Sequence, residues 1–130
     1  MSNRVRALVT GASSGLGIEF CRQLAASCDE VVLVARTETA LIELATELEA
    51  KGLEAHIVVA DLTKMIDVTR VVETIRQKGP FQYLVNNAGF STLGAFVKQE
   101  PQTQHDMVAL HITATLELSS AALGGMIEQG

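Results

Sequence analysis

Gly11, Ser13, Ser14, Gly15 and Gly17 crowd into one short stretch, TGASSGLG, between an apolar run and a helical pattern. Glycine admits positive φ and lets a ligand come close to the backbone. The helix that follows offers unpaired N–H groups and a partial positive charge of about half an electron. The two serines add hydroxyl donors. Together these groups can hold a pyrophosphate or a ribose phosphate. The spacing is G-x-x-x-G-x-G rather than G-x-G-x-x-G, and no Lys-Ser/Thr follows the last glycine as a P-loop requires. Taken alone, the loop could be only a tight strand–helix connection. Its place after the first strand of an α/β pattern favours phosphate binding.

Three further groupings stand at the ends of later apolar runs. Arg36 lies in LVARTE, where a Rossmann-type domain meets the adenosine ribose. A carboxylate there would accept from a 2′-hydroxyl. An arginine instead suits a 2′-phosphate, through charge-assisted bonds worth roughly 1.5–3 kcal/mol, or about 10- to 100-fold in affinity. NADP is therefore favoured over NAD. The plainer reading is a solvated arginine, and Glu38 nearby weakens the positive field. Asp61, in VADLT, either caps the next helix jointly with Thr63 or accepts from an adenine amino group. Asn86 and Asn87, in NNAG, are poor strand formers. They make sense where side-chain amides satisfy backbone groups near a ligand, and Gly89 lets the chain turn there.

Positioning these residues requires alternating strands and helices. Residues 4–10, 30–35 and 54–60 read as strands, and a fourth begins at YLVNNAG. Their runs are continuously apolar, which marks a parallel sheet covered on both faces. Residues 14–27 read as a helix with Leu16, Phe20, Cys21 and Leu24 on one side. Residues 39–51 place Leu41, Leu44, Ala45 and Leu48 at helical spacing, and residues 64–78 do the same with Val68, Val71, Val72 and Ile75. Gly52 and Gly79-Pro80 end these two helices. A long helix follows from about 103 to 129. The expected fold is a doubly wound, Rossmann-type parallel sheet of about four strands in the order 3-2-1-4. The edge of the fourth strand is left without a next neighbour.

The 130 residues suffice for one domain with one core, and 48% hydrophobic residues mark a globular chain. A net charge of −5, without a sizeable basic cluster, argues against a nucleic-acid or membrane-surface partner. No apolar run approaches the 18 or more residues of a membrane span. The N-terminus runs straight into a strand with no signal peptide, so the expected compartment is the cytoplasm. Cys21 and Cys28 lie roughly 10 Å apart along a helix, too far for a disulfide. They read as one packed and one semi-exposed thiol.

TGASSGLG, ADLT and LVNNAG, in this order and spacing, closely resemble the short-chain dehydrogenase/reductase family. The resemblance covers essentially the whole chain. It implies that Gly11, Ser13, Ser14, Gly15, Leu16 and Gly17 hold the dinucleotide. It also implies that Arg36 selects NADP and that Asp61 and Leu62 contact adenine. Asn87, Ala88 and Gly89 would line the adenosine ribose, with the asparagine pair steadying the sheet. The implied reaction is hydride transfer between NADP(H) and an alcohol or carbonyl. Family members use about seven strands, and this chain resembles the first four. Their proton donor is a tyrosine with a lysine four residues on, preceded by a serine that holds the substrate oxygen. Here the one tyrosine, Tyr83, is followed at that distance by Asn87. Tyr83 reads as a packing residue, and Ser119 and Ser120 do not match the family's serine. His111 stands where the family commonly has asparagine; it reads as a core histidine or as a replacement relay. His56 and His105 show no partner pattern. The expectation is thus a cofactor-binding half, inactive alone, with self-association through the last helix and the open strand edge. The alternative is a non-catalytic nucleotide-binding or interaction module.

Overall fold

Successive side chains of a strand point to opposite faces, so a continuously apolar strand needs cover on both. That demand organises the molecule. The computed structural model describes residues 4–130; residues 1–3, part of the expected direct run into the first strand, lie outside it. Strands β1 (Arg6–Thr10), β2 (Glu30–Ala35), β3 (Glu54–Val59) and β4 (Tyr83–Val85) form one parallel sheet in the order β3-β2-β1-β4. This is the predicted order. Ala7 of β1 is in register with Val31 of β2 and Tyr83 of β4. Every residue of β2 is buried.

Alternate residues feed two cores. Ala7, Val9, Val31 and Leu33 face helices α1 (Gly15–Leu24) and α2 (Glu38–Glu49), where Cys21, Leu41, Leu44 and Leu48 meet them. Leu8, Val32 and Val34 face the opposite way, toward Val68, Val71 and Ile75 of α3 (Met65–Lys78), Phe81, and Ala114, Leu118 and Ala122 of the last helix. The inward faces of α2 and α3 are those read from helical spacing.

The inward face of α1 differs from the expected one. Leu16 and Phe20 are exposed, whereas Gly17 and Cys21 are buried with Leu24 packed beside them. Residues 17, 21 and 24 share one helical face, and the close approach of Gly17 to the preceding loop turns that face inward. Cys28 is also buried rather than semi-exposed, and both thiols are free. Burial pushes the Cys21 thiol up to about 12. Tyr83 is 43% exposed on the outermost strand, so it is not the packing residue expected.

The last helix, α4, spans Pro101–Gln129. Its ends, Pro101–Val108 and Thr115–Gln129, are α-helical, and the middle, Ala109–Ala114, is π-helical. By length and composition alone it is long and apolar enough to cross a membrane. Polar residues punctuate the helix, so it contains no long unbroken apolar run. One side of α4 docks on the sheet through Ala114, Leu118 and Ala122. Val108, Ile112, Leu116, Leu123 and Ile127 are exposed.

At the N-terminal ends of the strands, Glu30 is buried among basic side chains. Its Oε2 lies 2.8 Å from Arg6 Nε, and its Oε1 lies 3.1 Å from His56 Nε2 and 3.6 Å from Lys78 Nζ. His56 also meets Glu54 Oε1 at 3.0 Å. Glu30 is a partner of His56 that its sequence neighbourhood did not reveal, because the Glu30–Glu54 register is a property of strand pairing.

Candidate functional site

The C-terminal ends of the four strands open onto one cleft. In a parallel α/β sheet this is where ligands bind, at the point where strand order reverses about β1. Gly11, Ser13 and Ser14 line it from the loop after β1, and Arg36 from the end of β2. Asp61, Leu62 and Thr63 follow β3, and Ala88, Gly89 and Phe90 follow β4. Leu110 of α4 closes the wall. The sequence motifs thus converge in space. Gly15, Leu16, Gly17 and Asn87, also expected at the site, do not line the cleft: Gly17 and Asn87 pack against Gly11, and Gly15 and Leu16 are exposed to solvent.

The loop after β1 is shaped by its glycines. Gly11 has φ +66°, and a Cβ there would sit 2.8 Å from Asn87 Nδ2. A Cβ on Gly17 would fall 1.9 Å from the Gly11 carbonyl oxygen. Only glycine permits this contact between the first turn of α1 and the loop. Around Gly15, by contrast, a Cβ would meet nothing within 4 Å, so there is room before the helix N-terminus. The first turn of α1 carries no acidic residue, and Ser14 makes no side-chain cap bond. The positive end of the helix dipole therefore faces the cleft mouth without a competing carboxylate.

Thr10 and Asn87 stitch the loops after β1 and β4 together. The buried Thr10 Oγ1 accepts from the N–H of Asn87 at 3.0 Å and of Ala88 at 2.9 Å. Asn87 Nδ2 donates to the Gly11 carbonyl at 3.2 Å. This matches the reading of an amide that satisfies backbone near a ligand. Asn86 goes elsewhere: its Nδ2 donates to Ser119 Oγ on α4 at 3.2 Å. Thr10 escaped the sequence reading, although a hydroxyl ending an apolar strand was the signal.

Asp61 is committed locally. Its Oδ1 accepts from the Thr63 hydroxyl at 2.7 Å and the Thr63 N–H at 3.0 Å. Its own N–H donates to Asp67 Oδ2 at 2.7 Å. Among the described residues its Oδ2 bonds nothing in the protein. The Thr63 hydroxyl, helped by the Thr63 N–H and by the charges of Arg36 and Lys64, holds the Asp61 carboxyl below its usual range against the opposing effect of burial. Asp61 and Thr63 do not jointly cap the helix as read from the sequence: they bond each other and brace the loop before the N-cap residue, Lys64. Arg36 is exposed at the cleft edge, available to a ligand.

His111 departs from the core histidine expected. It is exposed in the π-helical stretch, and its Nε2 lies 3.1 Å from Phe90 N and 2.8 Å from Phe90 O. Neither Phe90 nor Leu110 was singled out in the sequence, since both are ordinary apolar residues until the loop and helix bring them together.

A parallel sheet that reverses at a glycine loop, with a cation after its second strand, defines a Rossmann-type dinucleotide fold. The family profile for short chain dehydrogenase matches residues 5–130, and the chain belongs to that family. It is 34% identical over 127 residues to a putative ketoacyl reductase of Streptomyces coelicolor, covering 95% of this chain and 49% of that protein. It superposes with TM-score 0.91 and 33% identity on the bulky-bulky ketone specific alcohol dehydrogenase from Comamonas testosteroni, covering 98% of this chain and 52% of that one. It does so with TM-score 0.90 and 32% identity on a short-chain dehydrogenase from Sphingobium yanoikuyae in complex with NADPH, covering 96% and 49%. The chain thus spans about half the length of each of these relatives.

Proposed function

We propose that this chain is the dinucleotide-holding half of an NADP-dependent oxidoreductase that interconverts alcohols and carbonyls. The observation that carries the reading is the convergence of all four strand ends on one cleft, with Arg36 at its edge. Gly11, Ser13 and Ser14, together with Gly15, Leu16 and Gly17, would hold the phosphates against the α1 N-terminus. Arg36 would pair with the 2′-phosphate. Asp61 and Leu62 would meet the adenine, Asp61 through its remaining oxygen. Asn87 would hold the loop on which Ala88 and Gly89 flank the ribose. NADP(H) when bound supplies the hydride.

The relatives named as a ketoacyl reductase and a ketone-specific alcohol dehydrogenase support a carbonyl or alcohol substrate. They also favour the oxidoreductase reading over a non-catalytic nucleotide-binding or interaction module. Tyr83 has Asn87, not lysine, four residues on, so this polypeptide is proposed to hold cofactor without turning it over by itself. Carbonyl reduction by the chain, abolished by a substitution within it, would contradict that. The apolar stripe of α4 and the open edge of β4 support association with a second copy. A cytoplasmic, soluble protein is the compartment this function fits.

Arg36→Ala tests the site. It is expected to weaken NADPH binding about 10- to 100-fold, followed by fluorescence titration, while NADH binding changes little. Equal loss for both nucleotides would remove Arg36 from the 2′-phosphate.

A further inference from the structure

His111 occupies the middle of the π-helical stretch of α4, next to Leu110, which lines the cleft. Such stretches aim side chains differently from a regular helix and cluster at functional sites. The His111 ring lies against the chain just after NNAG. A Cβ on Gly89 would fall 2.4 Å from His111 Cε1. Nε2 faces both polar atoms of Phe90, the N–H at 3.1 Å and the carbonyl at 2.8 Å. One ring nitrogen serves one of these at a time: unprotonated it accepts from the N–H, protonated it donates to the carbonyl. In either state the residue-90 backbone has a partner on α4. The phenyl ring of Phe90 is tilted 48° to the imidazole with centroids 6.3 Å apart.

We propose that His111 is a positioning residue for the dinucleotide cleft: its imidazole holds the Gly89–Phe90 wall at the distance a bound nucleotide requires. It touches the wall and not the cleft interior, so it acts through the backbone of residues 89 and 90. Gly89 has no side chain because the imidazole takes that space. The inference rests on the dinucleotide reading of the cleft given above.

The test uses the full chain and NADPH as the probe. His111→Phe keeps a ring and removes the nitrogen, and is expected to weaken NADPH binding about tenfold by leaving the Phe90 backbone without its partner. His111→Gln carries an amide at the reach of Nε2 and should bind within about threefold of the parent. Hydrogen exchange at the Phe90 amide should speed up in the Phe variant and stay slow in the Gln variant. Because His111 is exposed, melting temperatures should move little. Gly89→Ala gives an independent route: its methyl displaces the ring, so its effect and that of His111→Phe should not add. Parent-level affinity in His111→Phe, or equal losses in the Phe and Gln variants, overturns the inference while leaving the cleft reading intact. Failure of the parent chain to bind any dinucleotide overturns the cleft reading, and this inference with it.

Discussion

Thr10 Oγ1 accepts from the N–H groups of Asn87 and Ala88; the Asn87 N–H also reaches the Val85 carbonyl at 3.0 Å, whereas the Ala88 N–H has Thr10 alone among the described groups. Thr10→Val keeps the shape and strands the Ala88 N–H beneath the site. The expected cost is about 2 kcal/mol of stability, read from the urea midpoint. A change within error would show that the Ala88 amide finds another partner. Asp61 makes a pH-dependent contribution of definite sign. Its folded value lies below the ordinary 3.8, so its stabilisation is fully present above that pH and is lost as pH falls through the lower folded value. Asp61→Asn should therefore be less stable than the parent at pH 6, with the gap closing below about pH 4. A gap that is constant with pH in thermal melts would mean that the Thr63 pairing carries no charge dependence.

The two glycines of the α1 N-terminus separate packing from backbone conformation. Gly17→Ala puts a methyl into the Gly11 carbonyl, and is expected to cost at least about 3 kcal/mol and to disturb the cleft. Gly15→Ala meets open space but forces alanine to φ +53°, a cost of about 1 kcal/mol. Equal losses in denaturation would show that the loop shifts to absorb both. The strands were legible because a sheet buried on both faces writes itself as unbroken apolar runs such as EVVLVA. α2 and α3 were legible because their leucines and valines repeat at helical spacing. α1 was misread because Leu16 and Phe20 are apolar and periodic, while the face that turns inward is set by a glycine contact across the loop. The π-helical stretch left no sequence signal, since it depends on how α4 meets the chain after β4. The motif ends were legible as a site; Thr10, Phe90 and Leu110 were not, because their roles arise from contacts across tens of residues.

At the scale of the molecule, two surfaces stand open. β4 pairs with β1 alone among the described strands, and α4 presents Val108, Ile112, Leu116, Leu123 and Ile127 to solvent. An unpaired edge beside an apolar stripe favours association. Sedimentation of the chain should show a dimer or larger species that Leu116→Glu shifts toward monomer. A monomer at all concentrations would assign the stripe no role in self-association. The central claim concerns the cofactor, and the most direct measurement is a calorimetric titration of the chain with NADPH and then with NADH. Saturable one-to-one binding, with NADPH tighter by about 10- to 100-fold, is the result the site predicts. No binding of either nucleotide, or NADH bound as tightly as NADPH, would contradict it.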